Sequence, residues 1–277
     1  FAHKSARFRY LFTRLRETAY TIILNIAREM RQSDFQPVSF ELSFGGRQGD
    51  LPAITIQEDG ARLSVSGKVD RVDGWLHEGK LYLRVVDYKT GKKSFDLTDI
   101  RYGLGIQMLL YLFTLEREGQ SFFGHPIVPC GVLYQPARDV ILRQDRNISD
   151  EKLKAALQSE LRRTGLVLND PRVLQAMEHS ALESPCYLPI GVKKDGSLSG
   201  SVATAAQLGH LGRYVDKLLH QITGEIAHGN IDADPYARGP QDSACTYCPF
   251  AAACCFDEAR DKRRPLRKTD SEEFWAL

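Results

Sequence analysis

The chain has 277 residues, 43% hydrophobic and 26% charged, an ordinary globular composition that excludes a mostly disordered protein. Lysine and arginine number 37 against 35 aspartate and glutamate, and this near balance excludes a uniformly basic nucleic-acid coat while leaving local patches open. No apolar run reaches the 18 or so residues a spanning helix needs, so no membrane partner is expected.

The chain starts at Phe1 without an initiator methionine or a signal-like apolar segment, and reads as a piece of a longer protein. From Ser5 to about Arg31 the pattern is helical, with Phe8, Leu11, Phe12, Leu15, Ala19, Ile22, Ile23 and Ile26 three and four apart. The arginines on this segment face few acids, which suits a solvated face or a surface for phosphates or an acidic neighbour. Pro37 ends the region, and strands are expected over Val38–Phe44 and Ala53–Gln57. Two longer strands, Arg62–Trp75 and Leu81–Thr90, flank a tight turn at Glu78-Gly79. A helix over Ile100–Glu116 and a strand over Gly131–Gln135 come next, and then helical patterns over Ser149–Arg163, Pro171–Glu178 and Ala205–Ile226. The order predicts an α+β core over residues 1–140 and a helical, cysteine-bearing extension over residues 141–277, the two integrated as one domain.

The hairpin is the most informative stretch. With a two-residue turn at Glu78-Gly79, paired residues have numbers that sum to 157, so Asp70 falls opposite Asp87 and Asp73 opposite Arg84. Lys89 shares a face with Asp70 and Asp87, while Asp73 lies on the other face, where it can pair with Arg84 as a structural ion pair. Two carboxylates about 5 Å apart repel, and must share a proton, stay solvated or recruit a cation. With a lysine two residues on, they suit a divalent metal and an activated water. Gln107 and Tyr111, four apart, share one helix face.

The cysteines carry a second signal. Cys130 and Cys186 stand alone, whereas Cys245, Cys248, Cys254 and Cys255 fall within eleven residues. This is not the framework of a small secreted scaffold, and it fits a reducing, cytoplasmic setting with metal-ligating thiolates. Cys245, Cys248 and Cys254 have C-x₂-C-x₅-C spacing, which can wrap one centre but leaves it one ligand short, with zinc as the rival metal.

The segment Gly67-Lys-Val-Asp70, then Val86-Asp-Tyr-Lys89, then Gln107 and Tyr111, resembles the signature of RecB-like PD-(D/E)xK nucleases. Phe40–Gly45, Gly165–Asp170, Gly229–Pro235 and the cysteine spacing extend the likeness to the C-terminal region of the B subunit of AddAB-type helicase–nucleases. The resemblance implies a restriction-endonuclease-like core, a mixed central sheet flanked by helices. It implies metal-dependent DNA exonuclease chemistry in double-strand-break repair, with Mg²⁺ or Mn²⁺ held by Asp70, Asp87 and the Tyr88 carbonyl. Lys89 would orient the attacking water, and Gln107 and Tyr111 would brace the site or touch the DNA backbone. It also implies a 4Fe–4S cluster on Cys245, Cys248 and Cys254 with its fourth cysteine upstream, single-stranded DNA as substrate and an AddA-type subunit as partner. The family's upstream histidine has no assigned counterpart, His3 lacking the expected context. Glu41 is either an extra acidic ligand or, as favoured, structural. The rival to a nuclease is a catalytically silent, metal-stapled DNA-binding or assembly module.

Overall fold

The computed structural model describes residues 4–46, 49–142, 147–239 and 241–276, so His3 lies outside it. In chain order the elements are α1 (Ala6–Met30), β1 (Gln36–Phe44), β2 (Ile54–Glu58), β3 (Ala61–Val65), β4 (Gly67–His77), β5 (Lys80–Lys89), α2 (Leu97–Arg101), α3 (Gln107–Phe123), β6 (Ile127–Pro136), α4 (Asp150–Glu160) and β7 (Thr164–Leu168). Then come α5 (Pro171–Met177), β8 (Ile190–Val192), β9 (Leu198–Gly200), β10 (Val202–Ala203), α6 (Ala205–Ala227), β11 (Tyr236–Gly239), β12 (Asp242–Ser243), α7 (Ala251–Cys254), β13 (Arg264–Pro265) and α8 (Ser271–Trp275).

The chain forms two compact units, the first comprising Phe1–Ile54, Val65–Phe95 and Gln107–Gly212. Its centre is a six-stranded sheet in the order β1-β4-β5-β6-β7-β10. The β5–β6 and β7–β10 pairs are parallel and the others antiparallel, so the sheet is mixed as the resemblance implied. The turn joining β4 to β5 has positive φ at both Glu78 (49°) and Gly79 (75°), the conformation that matches a hairpin's twist. Val69, Val72, Leu83, Val85, Val86, Val132 and Leu133 are buried in these strands, and α3, which lies against β5 and β6, adds Met108, Leu109, Leu112 and Leu115. Burying each such side chain contributes about 1.5–3 kcal/mol against an exposed reference.

The second unit comprises Thr55–Ser64, Asp96–Ile106 and Arg213–Leu277. It holds the β2–β3 hairpin, most of α6 and a small sheet in the order β12-β11-β13. The Tyr214 hydroxyl donates to the Arg101 carbonyl at 2.6 Å, and Phe274 of α8 packs edge-on against Tyr214.

Several expectations are corrected. The expected helical extension also carries strands, because β7 and β10, beyond residue 140, complete the same sheet as β4 and β5. The β6–β7 pairing needs glycine: a Cβ on Gly165 (φ 145°) would stand 2.0 Å from the Val132 carbonyl oxygen, and one on Gly131 (φ 151°) 2.4 Å from that of Leu166. Pro37 does not lie between elements but inside β1, tolerated because β1 is an edge strand with a register shift between Pro37 and Ser39. The strand expected over Arg62–Trp75 breaks at Ser66 into β3 and β4. The helix expected over Ile100–Glu116 breaks into α2 and α3, with Gly103 and Gly105 both at positive φ between them. Helix α1 begins as expected, its Ser5 cap accepting from the Phe8 amide, and its apolar residues Phe8, Leu11, Phe12, Leu15 and Ile23 are exposed. Its buried positions are the polar Asn25 and Glu29.

Candidate active site

The predicted register holds from His77↔Lys80 to Arg71↔Val86 and then stops. Beyond that point β4 stays with β1, pairing Val69 with Leu42 and Gly67 with Phe44. Strand β5 instead stays with β6, pairing Asp87 with Tyr134 and Lys89 with Pro136. The central strands therefore fork, and the fork begins at the residue pair Asp70 and Asp87. Arithmetic on the turn put these two in a continuous ladder; the structure ends the ladder one pair earlier. Opposed like charges destabilise a ladder pair, and here the Asp70 carboxylate turns into the sheet and accepts from the Tyr88 amide at 3.0 Å.

Lys89 extends from the same face as Asp87, and its ammonium lies 2.5 Å from Asp87 Oδ2. That oxygen is buried and makes no hydrogen bond of good geometry, so the ion pair alone compensates it. Lys89 also lies over the Tyr134 ring, 5.9 Å from its centroid. A cation-seeking carboxylate is thus held beside a half-buried ammonium at the mouth of the fork.

Gln107 and Tyr111 are brought together, the Gln107 amide donating to the Tyr111 hydroxyl at 2.7 Å. Because the expected helix is broken, Gln107 is the first residue of α3 and not an interior one. Tyr111 is buried and packs edge-on against Phe44, with ring centroids 5.3 Å apart. Both rings close over Gly67, where a Cβ would meet them at 2.8–2.9 Å. The glycine of the Gly-x-Val-Asp segment therefore makes room for the tyrosine of the Gln-xxx-Tyr segment, and the two halves of the signature meet three residues from Asp70.

The opposite face of β4 and β5 carries a buried polar network. Arg84 Nε pairs with Asp73 at 3.0 Å, as the register predicted, and Arg84 Nη2 pairs with Glu29 of α1 at 3.0 Å. Arg71 pairs with Asp73 at 2.9 Å and donates to the Tyr88 hydroxyl at 2.8 Å, and Arg163 joins Glu29 to Asn25. Glu29, Arg71, Asp73, Arg84 and Arg163 are all at most 1% exposed. Burial pushes the Glu29 carboxyl up, but Arg163, Arg84 and Arg71 together outweigh it and hold the group below the ordinary carboxylate value. Through Arg71 and Tyr88 this network grips the strand that carries Asp87 and Lys89.

Glu41 forms an ion pair with Lys68, whose ammonium it holds above the ordinary lysine value, which favours the structural role. Sequence reasoning missed a basic cleft beside Lys89 formed with Lys92, Lys93, Arg138 and Arg162. The adjacent Lys92 and Lys93 were a visible signal, whereas Arg138 and Arg162 arrive from distant segments.

Asp70, Asp87 and the Tyr88 carbonyl are oxygen donors of the kind a hard divalent cation takes. The cysteines do not fit a closed metal site. Cys245 and Cys248 are half-buried, Cys254 and Cys255 are exposed, and no group of three His, Cys, Asp or Glu suited to a metal occurs among the described residues.

The family model of the PD-(D/E)XK nuclease superfamily matches residues 1–255. The chain belongs to this superfamily. It is also similar to the B subunits of the ATP-dependent helicase/deoxyribonucleases of Acetivibrio thermocellus (37% identity), Clostridium kluyveri (34%) and Clostridium acetobutylicum (32%). Each match covers 99% of this chain and 24% of the relative, so the chain spans about a quarter of the length of these proteins. No helix among the described residues is long and apolar enough to cross a membrane.

Proposed function

We propose that this chain is the nuclease domain of a helicase–nuclease component of the AddB type, a Mg²⁺-dependent deoxyribonuclease that acts exonucleolytically on single-stranded DNA from an unwound end. The observation that carries the reading is the fork itself, where Asp70 accepts from the Tyr88 amide and Asp87 pairs with Lys89. Asp70, Asp87 and the Tyr88 carbonyl would hold the divalent metal, which when bound supplies charge neutralisation at the phosphate and a more acidic water. Lys89 orients that water and meets the charge that develops on the phosphoryl oxygens. Asp87 holds the Lys89 ammonium in an ion pair, and Gln107 donates to the Tyr111 hydroxyl. The likeness to the named helicase/deoxyribonuclease components supports a role in DNA double-strand-break processing with an AddA-type partner, in the cytoplasm, where six unpaired cysteines are stable.

The iron–sulfur reading for Cys245, Cys248 and Cys254 rests on their spacing.

Metal titration tests the site. Asp70→Asn is expected to weaken Mn²⁺ binding at least about tenfold by calorimetry while leaving the melting temperature within about 2 °C. Unchanged Mn²⁺ affinity in that variant would place the metal elsewhere. A silent binding module, the alternative, predicts single-stranded DNA binding with no cleavage at any metal concentration.

A further inference from the structure

Next to Lys89 lies a cleft of about 170 Å³, walled by the loop after β5, the end of β6 and the segment joining α4 to β7. Five cations line it (Lys89, Lys92, Lys93, Arg138 and Arg162) against one acid, Glu160. Lys89 is neutralised by Asp87. Glu160 is shared, 2.6 Å from Arg138 and 3.6 Å from Lys92. Arg162 donates to the Leu188 and Pro185 carbonyls at 2.7 and 3.2 Å and to that of Ile190, which engages its Nε and Nη2 without cancelling its charge. Lys93 has no ion pair among the described residues, and the Lys92 side chain is 78% exposed. Arg138 and Lys92 hold the Glu160 carboxyl below its ordinary value, so it is ionised at neutral pH. The cleft is therefore a concave, net positive surface that opens beside the Lys89 ammonium, and Glu160 is the one anion among the described residues that line it.

We propose that this cleft is a phosphate subsite for the DNA strand, seating the backbone phosphate adjacent to the scissile one on Lys92 and Lys93, with Glu160 as the counter-charge that the substrate displaces. The inference rests on the nuclease reading above and adds to it the direction in which the strand leaves the fork. Arg138, released from Glu160, and Arg162 supply further positive field. Because the contacts are to phosphate and not to bases, the subsite holds the strand without reading its sequence.

The test is fluorescence anisotropy of a labelled single-stranded oligothymidylate with the intact protein, without divalent metal, across a range of salt. Mg²⁺-dependent cleavage by the wild type is measured alongside. Replacing Lys92 and Lys93 together by alanine is expected to weaken binding about tenfold and to lower the slope of log Kd against log salt by about one. Glu160→Gln is expected to tighten binding severalfold. A double variant with wild-type affinity and slope, or a Glu160→Gln protein that binds more weakly, overturns the subsite. Wild-type cleavage with an unchanged slope in the double variant removes the subsite and keeps the nuclease. Lysine-dependent binding by a wild type that never cleaves keeps the subsite and removes the nuclease.

Discussion

At Asp70 and Asp87 two requirements conflict. The strands gain from pairing, yet two carboxylates opposed in a ladder repel. The structure resolves this by ending the ladder, with Asp70 accepting from the Tyr88 amide and Asp87 pairing with Lys89. What remains is a fork that begins at two carboxylates, the groups proposed above to hold a metal. Gly67 serves the same fork indirectly. In Gly67→Ala the new methyl meets the Phe44 and Tyr111 rings, and such overpacking costs about 1–3 kcal/mol. The expected outcome is a melting temperature lowered by several degrees and slower cleavage, since Tyr111 must shift; a variant with wild-type stability would contradict the close packing. Local residue pairs such as Asp73 with Arg84 were legible from arithmetic on one turn. Glu29 and Arg163 were not, because their encounter joins segments 134 residues apart and leaves no mark in local spacing.

At the scale of elements, α1 is tied to the sheet by charge. Its apolar stripe is exposed over its first half, while Glu29 reaches Arg84 and Arg163 inside. Removing one partner leaves uncompensated buried charge, so Glu29→Gln is expected to destabilise by about 3–5 kcal/mol in denaturant unfolding. The sign with pH follows from the depressed carboxyl. Its stabilisation is complete above the ordinary value of 4.5 and is lost as pH falls through the lower folded value. Wild-type stability should therefore drop on acidification below about 4.5, and Glu29→Gln should flatten that drop. The β6–β7 pairing makes a second prediction. Gly165→Ala places a methyl against the Val132 carbonyl and should separate the strands, seen as lost amide protection over Thr164–Leu168 while the β4–β5 hairpin stays protected. Helix and strand types were readable from periodicity. The break between α2 and α3 was not read, although Gly103 and Gly105 mark it, because apolar spacing continued across them. The strands β7 and β10 were not read; β10 has only two residues, too few to show a period.

For the whole molecule, a net charge of +2 averages over local extremes: the acidic pair at the fork, the basic cleft beside it and the buried arginine network behind it. The cysteines differ as sharply. Burial pushes the Cys130 thiol far up and it is fully enclosed, whereas Cys254 and Cys255 are exposed. In metal-free protein Cys254 and Cys255 should react first with a thiol reagent and Cys130 only on global unfolding; rapid native-state labelling of Cys130 would contradict its enclosure. The central claim is that the fork between β4 and β5 is a nuclease site. Its most direct test is Mg²⁺-dependent cleavage of end-labelled single-stranded DNA by the intact protein and by Asp87→Ala, with any partner nuclease disabled. The metal and lysine contributions lost with Asp87 amount to several kcal/mol, so the rate should fall by about a thousandfold or more with DNA binding retained. Cleavage at the wild-type rate by Asp87→Ala would contradict the account.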